Sequence, residues 1–130
     1  MKTMHSNFKI TFSLVVFLFA SNCFAQDWAK RDAKTVKSLV DTTLLRASEV
    51  TIMEGEKSQV HTHPAHFFYA LTECKLLVHY TDGKEEKYDM KTGECGFSNA
   101  ERPHWVENTG DKPAIFLLIE LKEHPYMAKK

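Results

Sequence analysis

Between Glu54 and Asp111, turn-forming residues recur about every eight to twelve positions, and the runs between them are short and rich in β-branched and aromatic side chains. The breaks fall at Glu54-Gly55, Thr81-Asp82-Gly83-Lys84, Lys91-Thr92-Gly93 and Asn108-Thr109-Gly110-Asp111. Asp-Gly between two strand-like runs is a strong hairpin signal, because glycine reaches positive φ without a steric cost. Recurring turn signals between such strand-like runs point to an all-β sandwich or barrel. The expected strands lie in 44–53, 61–71, 75–80, 85–90, 94–98, 104–107 and 114–121. The last, Ala114 to Leu121, is almost unbroken in apolar character, as expected of a strand buried on both faces or at the centre of a barrel. Upstream, Ala29, Ala33, Val36 and Val40 fall at helical intervals in a polar stretch, which suggests a short helix or a loose arm.

The first residues do not belong to that domain. Lys2 and Lys9 precede an uncharged apolar run, Ile10 to Ala20, and Cys23 and Ala25 supply small residues beyond it. This is the pattern of a secretory signal peptide, with cleavage expected after Ala25 and a periplasmic or secreted product. The run is too short to span a bilayer comfortably, so a retained anchor is the weaker reading. Lipidation at Cys23 is a third reading, disfavoured by the bulk of Asn22. The organisation read from the sequence is a signal peptide over 1–25, an N-terminal arm over 26–42, a β-domain over 43–122 and a tail over 123–130. Loss of Lys2 and Lys9 leaves fifteen Lys and Arg against seventeen Asp and Glu, a formal charge of −2. No basic stripe is present, which argues against a nucleic-acid partner. A domain this small has a modest core, and a homodimer is expected to add burial. Cys74 and Cys95 would meet oxidising conditions after export; a disulfide and two unpaired thiols both fit their spacing.

Chemistry concentrates between Gly55 and His66. His61 and His63 stand two apart, so one strand aims both imidazoles to the same side. His66 follows closely, and His104 lies in a second segment bounded by its own Gly and Pro residues. Imidazole suits zinc, copper, iron and nickel. His79 and His124 lie apart from this set and read as solvated histidines, Glu107 as a surface residue, and Lys84-Glu85-Glu86-Lys87 as a charged hairpin arm. Trp105 should point away from His104 into a sheet or subunit interface. Phe67, Phe68, Tyr69, Phe97 and Phe116 read mainly as core filling.

These residues resemble the cupin superfamily. Its first motif is a glycine, five residues, His-X-His, then a glutamate after three or four more residues and a glycine beyond it. Gly55, His61 and His63 match. The second motif is a glycine, five residues, a proline, one residue, a glycine, two residues, a histidine, three residues and an asparagine. Gly93, His104 and Asn108 match, with Asn99 and Glu101 in place of the proline and glycine. The resemblance covers about Thr43 to Lys122, and the run from His61 to His66 with the ending Ile119-Glu120-Leu121-Lys122 is similar to a group of small single-domain members. It implies a single-domain, jelly-roll-like β-barrel with a central pocket and one divalent transition metal (zinc, iron, nickel or manganese) held by His61, His63 and His104. The motif glutamate falls at Phe67 or Phe68 and is missing, and Cys74 replaces the closing glycine. His66 is then a candidate fourth ligand, a catalytic acid or base at the pocket mouth, or a solvent-facing residue. Two function classes follow: a metal-dependent oxygenase, isomerase or hydratase acting on a small organic molecule, or a module that captures a small ligand or metal without turnover. A pocket that binds an anion through protonated imidazoles is the main alternative to a metal.

Overall fold

The computed structural model of the chain describes residues 28–32 and 35–129. The expected signal segment, with Cys23, lies outside them. Nine strands follow a single helical turn: α1 (Trp28–Arg31), β1 (Val36–Asp41), β2 (Leu45–Ile52), β3 (His61–His63), β4 (His66–Ala70), β5 (Cys74–Tyr80), β6 (Glu85–Met90), β7 (Cys95–Ser98), β8 (Glu101–Asn108) and β9 (Ala114–Leu121). They form two antiparallel sheets, ordered β1-β2-β9-β4-β7 and β3-β8-β5-β6. The two sheets do not close into the expected barrel; the arrangement is a jelly-roll-like sandwich.

The turns form where glycine permits. Gly55, Gly83 and Gly93 sit at φ 71°, 86° and 87°, so both motif glycines serve left-handed turns. The expected run over 61–71 is broken at Pro64-Ala65 into β3 and β4, one in each sheet. Pro64 has no N–H to give a ladder, and the break lets one continuous stretch contribute histidines from both sheets. The helical intervals upstream are misleading: helix covers one turn only, and Val36–Asp41 is an edge strand paired with β2. Tertiary pairing overrides a weak helical pattern there.

The core between the sheets contains Val50, Ile52, Leu76, Phe116 and Leu118, joined by Trp28 from α1. β9 is central in its sheet, but only alternate residues are buried: Ala114, Phe116, Leu118 and Glu120 point inward, and Ile115, Leu117, Ile119 and Leu121 are half-buried. It is therefore not buried on both faces in this chain. Cys74 and Cys95 are free thiols; Cys74 Sγ is buried and donates to Thr72 O at 3.3 Å. The motif asparagine, Asn108, is also buried. Its Nδ2 donates to Ile52 O at 2.9 Å and Lys112 O at 2.7 Å, and its Oδ1 accepts from Gly110 N at 2.9 Å. Asn108 thus clamps the β8–β9 turn, a structural role.

Candidate metal centre

β3 and β8 run antiparallel with His61 opposite His104, and β4 starts at His66 on the facing sheet. All four imidazoles are buried and line one cavity. Potential ligand atoms of His61, His63 and His104 all lie within 4.8 Å of one another. His66 stands beside this trio, its ring centroid 4.9 Å from that of His63, and faces inward with Phe68 and Ala70.

Each ring has one nitrogen committed to a fixed acceptor. Nδ1 of His61 lies 2.6 Å from Gln59 O, Nδ1 of His104 2.7 Å from Arg102 O, and Nδ1 of His66 2.9 Å from Pro64 O. Nδ1 of His63 lies 2.8 Å from the Glu120 carboxylate. Carbonyls and carboxylates only accept, so Nδ1 carries a proton in all four rings, and Nε2 is the nitrogen left to act as a ligand. Nε2 of His61 and Nε2 of His63 are nevertheless only 3.0 Å apart. Burial, then the neighbouring His63 and His104, holds His61 down to about 2. Burial, then His63, holds His104 down to about 4, and the same two causes lower His66. A divalent cation at this meeting point would take one nitrogen from each ring of the trio. The donor set therefore fits a divalent transition metal.

The support behind this trio was not read from the sequence. Glu120 accepts from Arg46 Nε at 2.7 Å and from Trp28 Nε1 at 3.2 Å, besides its bond to His63. Burial alone would raise its pKa; His63 and then Arg46 outweigh that and bring it down to about 2. A carboxylate on the far nitrogen of a metal-ligating histidine fixes the tautomer and raises ligand basicity. The sequence did carry a signal for it, since Glu120 is in phase with the inward residues Ala114, Phe116 and Leu118. Trp28 stacks on His61 with centroids 4.7 Å apart and meets His63 edge-on at 4.9 Å, closing one side of the site. Glu101 lies on the open side of the rings, its Oε2 3.4 Å from His104 Nε2.

The place of the missing motif glutamate is also resolved. Phe67 points outward and Phe68 points into the cavity, so Phe68 is the residue that replaces the carboxylate there. A side chain at Gly96, its cross-strand partner, would put a Cβ 2.5 Å from the Phe68 ring. The ring fits because position 96 is glycine. The rest of the cavity wall is mostly apolar and includes Leu76, Val78, Met90, Val106 and Leu118, around a volume of about 70 Å³.

Two strands carrying His-X-His and a distant histidine, on a two-sheet jelly roll, decide the family together with one comparison: residues 48–120 match the family described as the cupin domain. The chain is a cupin. Among solved structures, it is similar to a cupin domain from Bordetella pertussis Tohama I, with TM-score 0.61 and 20% identity over 67% of this chain and 91% of that one. It is also similar to an RmlC-like cupin with a double-stranded β-helix fold from Methanocaldococcus jannaschii, with TM-score 0.55 and 19% identity over 70% of this chain and 84% of that one. These likenesses establish the fold. A curated relative, oxalate decarboxylase of Bacillus subtilis strain 168, is 27% identical over 95 residues, covering 66% of this chain. This cupin spans about a quarter (25%) of that relative's length.

The remaining histidines divide. His124 is exposed, as expected. His79 departs from the solvated reading: its Nδ1 lies 2.9 Å from Glu85, its Nε2 3.1 Å from Glu107, and its ring stacks on Trp105 with centroids 5.0 Å apart. Glu107 in turn meets Lys57 at 3.2 Å. Trp105 does point away from His104, onto His79 and not into an interface within this chain.

Proposed function

We propose that this cupin holds one divalent transition metal (zinc, iron, nickel or manganese) on His61, His63 and His104 and acts on a small organic molecule. The observation that carries this reading is the convergence of one potential ligand nitrogen from each ring within 4.8 Å of the others, while each Nδ1 is committed to an acceptor. A metal bound there supplies Lewis acidity toward an oxygen of the ligand. His66, with its Nδ1 fixed by Pro64 O, lines the cavity and is placed to exchange a proton with a bound ligand. At about 70 Å³ the cavity has room for roughly five water-sized groups. Its wall favours a ligand with one polar head and an apolar body. A small dianion such as oxalate suits that wall poorly, and Arg46 is already engaged by Glu120.

Metal content of the purified protein, before and after reconstitution with each of the four metals, tests the reading. About one equivalent in the wild type, lost in His61→Ala/His63→Ala, is the expected result; no retained metal under any condition overturns it. A second reading, capture without turnover, is favoured by Trp28, which seals one side of the trio. Conversion of a small hydroxy, keto or phenolic compound by the metal-loaded protein would reject that alternative.

Two further assignments belong to the proposal. The outer face of the larger sheet carries an apolar row, Val40, Ala47, Ile119, Phe67 and Phe97, in register across all five strands. Antiparallel sheets usually present polar residues on a solvated face, so this row supports a homodimer. Sedimentation of wild type against Phe67→Lys/Phe97→Lys tests it, with a monomeric wild type as the contrary result. Export rests on the leader pattern of residues 1–25, and a mature N-terminus at Gln26, read by mass spectrometry, is its test. No helix among the described residues is long and apolar enough to cross a membrane.

A further inference from the structure

The metal site lacks the first motif's glutamate, yet a carboxylate faces the same lone pairs from another strand. In a regular antiparallel pair with His61 opposite His104, His63 would stand opposite Arg102. It stands instead opposite Glu101, with a register shift between His61 and His63. The one residue between them on β3, Thr62, is therefore matched by two on β8, a bulge of one residue at Arg102-Pro103. Pro103 suits that place because it has no N–H to give the ladder. Residues three apart on a strand normally point to opposite faces; the bulge turns Glu101 and His104 to the same one.

We infer that Glu101 is the carboxylate ligand of this site, delivered by the second motif in place of the glutamate missing from the first. The assignment rests on the reading that the histidine trio holds a metal. Glu101 lines the histidine cavity, and its side chain is only 15% exposed. Ser98 Oγ donates to its Oε1 at 3.0 Å, which fixes the carboxylate and leaves Oε2 toward the site. That Oε2 lies 3.4 Å from Nε2 of His104, whose proton is on Nδ1 toward Arg102 O. Two ligand atoms this close can bind one cation placed beside them. The other carboxylate, Glu120, is placed differently: it reaches His63 only through Nδ1, behind the ring, and is held there by Arg46 and Trp28. Glu120 orients a ligand, whereas Glu101 lines the cavity on the Nε2 side of His104. Phe68 fills the motif-one place over Gly96, so no carboxylate arrives from that side. A single carboxylate added to three imidazoles lowers the net charge of the loaded site to +1 and favours harder ions such as manganese and iron.

The test is a titration of the purified metal-free protein with Co²⁺, followed by visible absorption and by competition with a chelator. Wild type, Glu101→Gln and Glu101→Gly are compared; Gly is the residue the family motif places there, and it serves if the Gln variant does not fold. The expected result is a loss of affinity of about 100-fold or more and an altered absorption spectrum in the variants, with unchanged melting of the metal-free proteins. Wild-type affinity and spectrum in either folded variant would overturn the role of Glu101 and leave the trio reading standing. Failure of the wild type to bind Co²⁺ at all would overturn both.

Discussion

His63 and His79 each meet a glutamate at close range, 2.8 Å to Glu120 and 2.9 Å to Glu85, yet the two histidines are built for different work. His63 gives only Nδ1 to its carboxylate and turns Nε2 toward two further imidazoles. His79 has a second carboxylate, Glu107, on Nε2, so both nitrogens are engaged and no lone pair remains for an ion. Burial separates them as well: the trio and Glu120 are enclosed between the sheets, whereas Glu85 on the hairpin arm has a side chain 57% exposed. A histidine beside a carboxylate is therefore not by itself a metal ligand. What matters is which nitrogen the carboxylate takes and what the other one faces.

The largest effect that could break this contrast is loss of the trio. His61→Ala/His63→Ala should reduce bound metal to background in elemental analysis, and His79→Ala should leave it at the wild-type level. Equal metal loss in both would erase the distinction. Next is the orienting carboxylate. Glu120→Gln should weaken metal binding about 10- to 100-fold, and it should cost about 1–3 kcal/mol in urea unfolding, because the charged acceptor shared by Arg46 and His63 is lost. Glu107→Gln, beside His79, should change neither quantity measurably, since exposed pairs contribute little.

Acid sharpens the contrast further. His61 and His104 have folded pKa values held below the ordinary 6.5, so below that pH the unfolded chain takes up protons first. Stability of the metal-free protein is therefore full above about pH 6.5 and is lost as pH falls, toward about 4 for His104 and about 2 for His61. For His104 alone the loss between pH 6.5 and 5 is on the order of 2 kcal/mol. Urea midpoints across this range should fall in wild type and in His79→Ala alike. A flat profile would mean that the imidazoles are protonated in the folded state. Smaller again is the packing effect at Gly96. Gly96→Ala must displace the Phe68 ring, at a cost of about 1–3 kcal/mol, and should perturb Co²⁺ absorption because Phe68 lines the site. Smaller still is His79→Ala itself, at about 1 kcal/mol or less in melting measurements.

The sequence alone determined the all-β class, most of the strand boundaries and the four histidines that line the cavity. These follow from local rules: glycine at positive φ in the turns, period-two alternation along strands, and the His-X-His spacing that puts two rings on one side. Its failures were also local. Helical intervals near Val36 suggested a helix where edge pairing made β1, and the apolar run of β9 suggested burial on both faces where only one is covered. Tertiary structure alone decided the surroundings of the histidines. Glu120 reaches His63 across 57 positions and Trp28 reaches Glu120 across 92, contacts that no window of sequence contains. Glu101 faces the site only because one extra residue in β8 reverses the strand's alternation, and a bulge is set by how two strands pair, not by the period of either one.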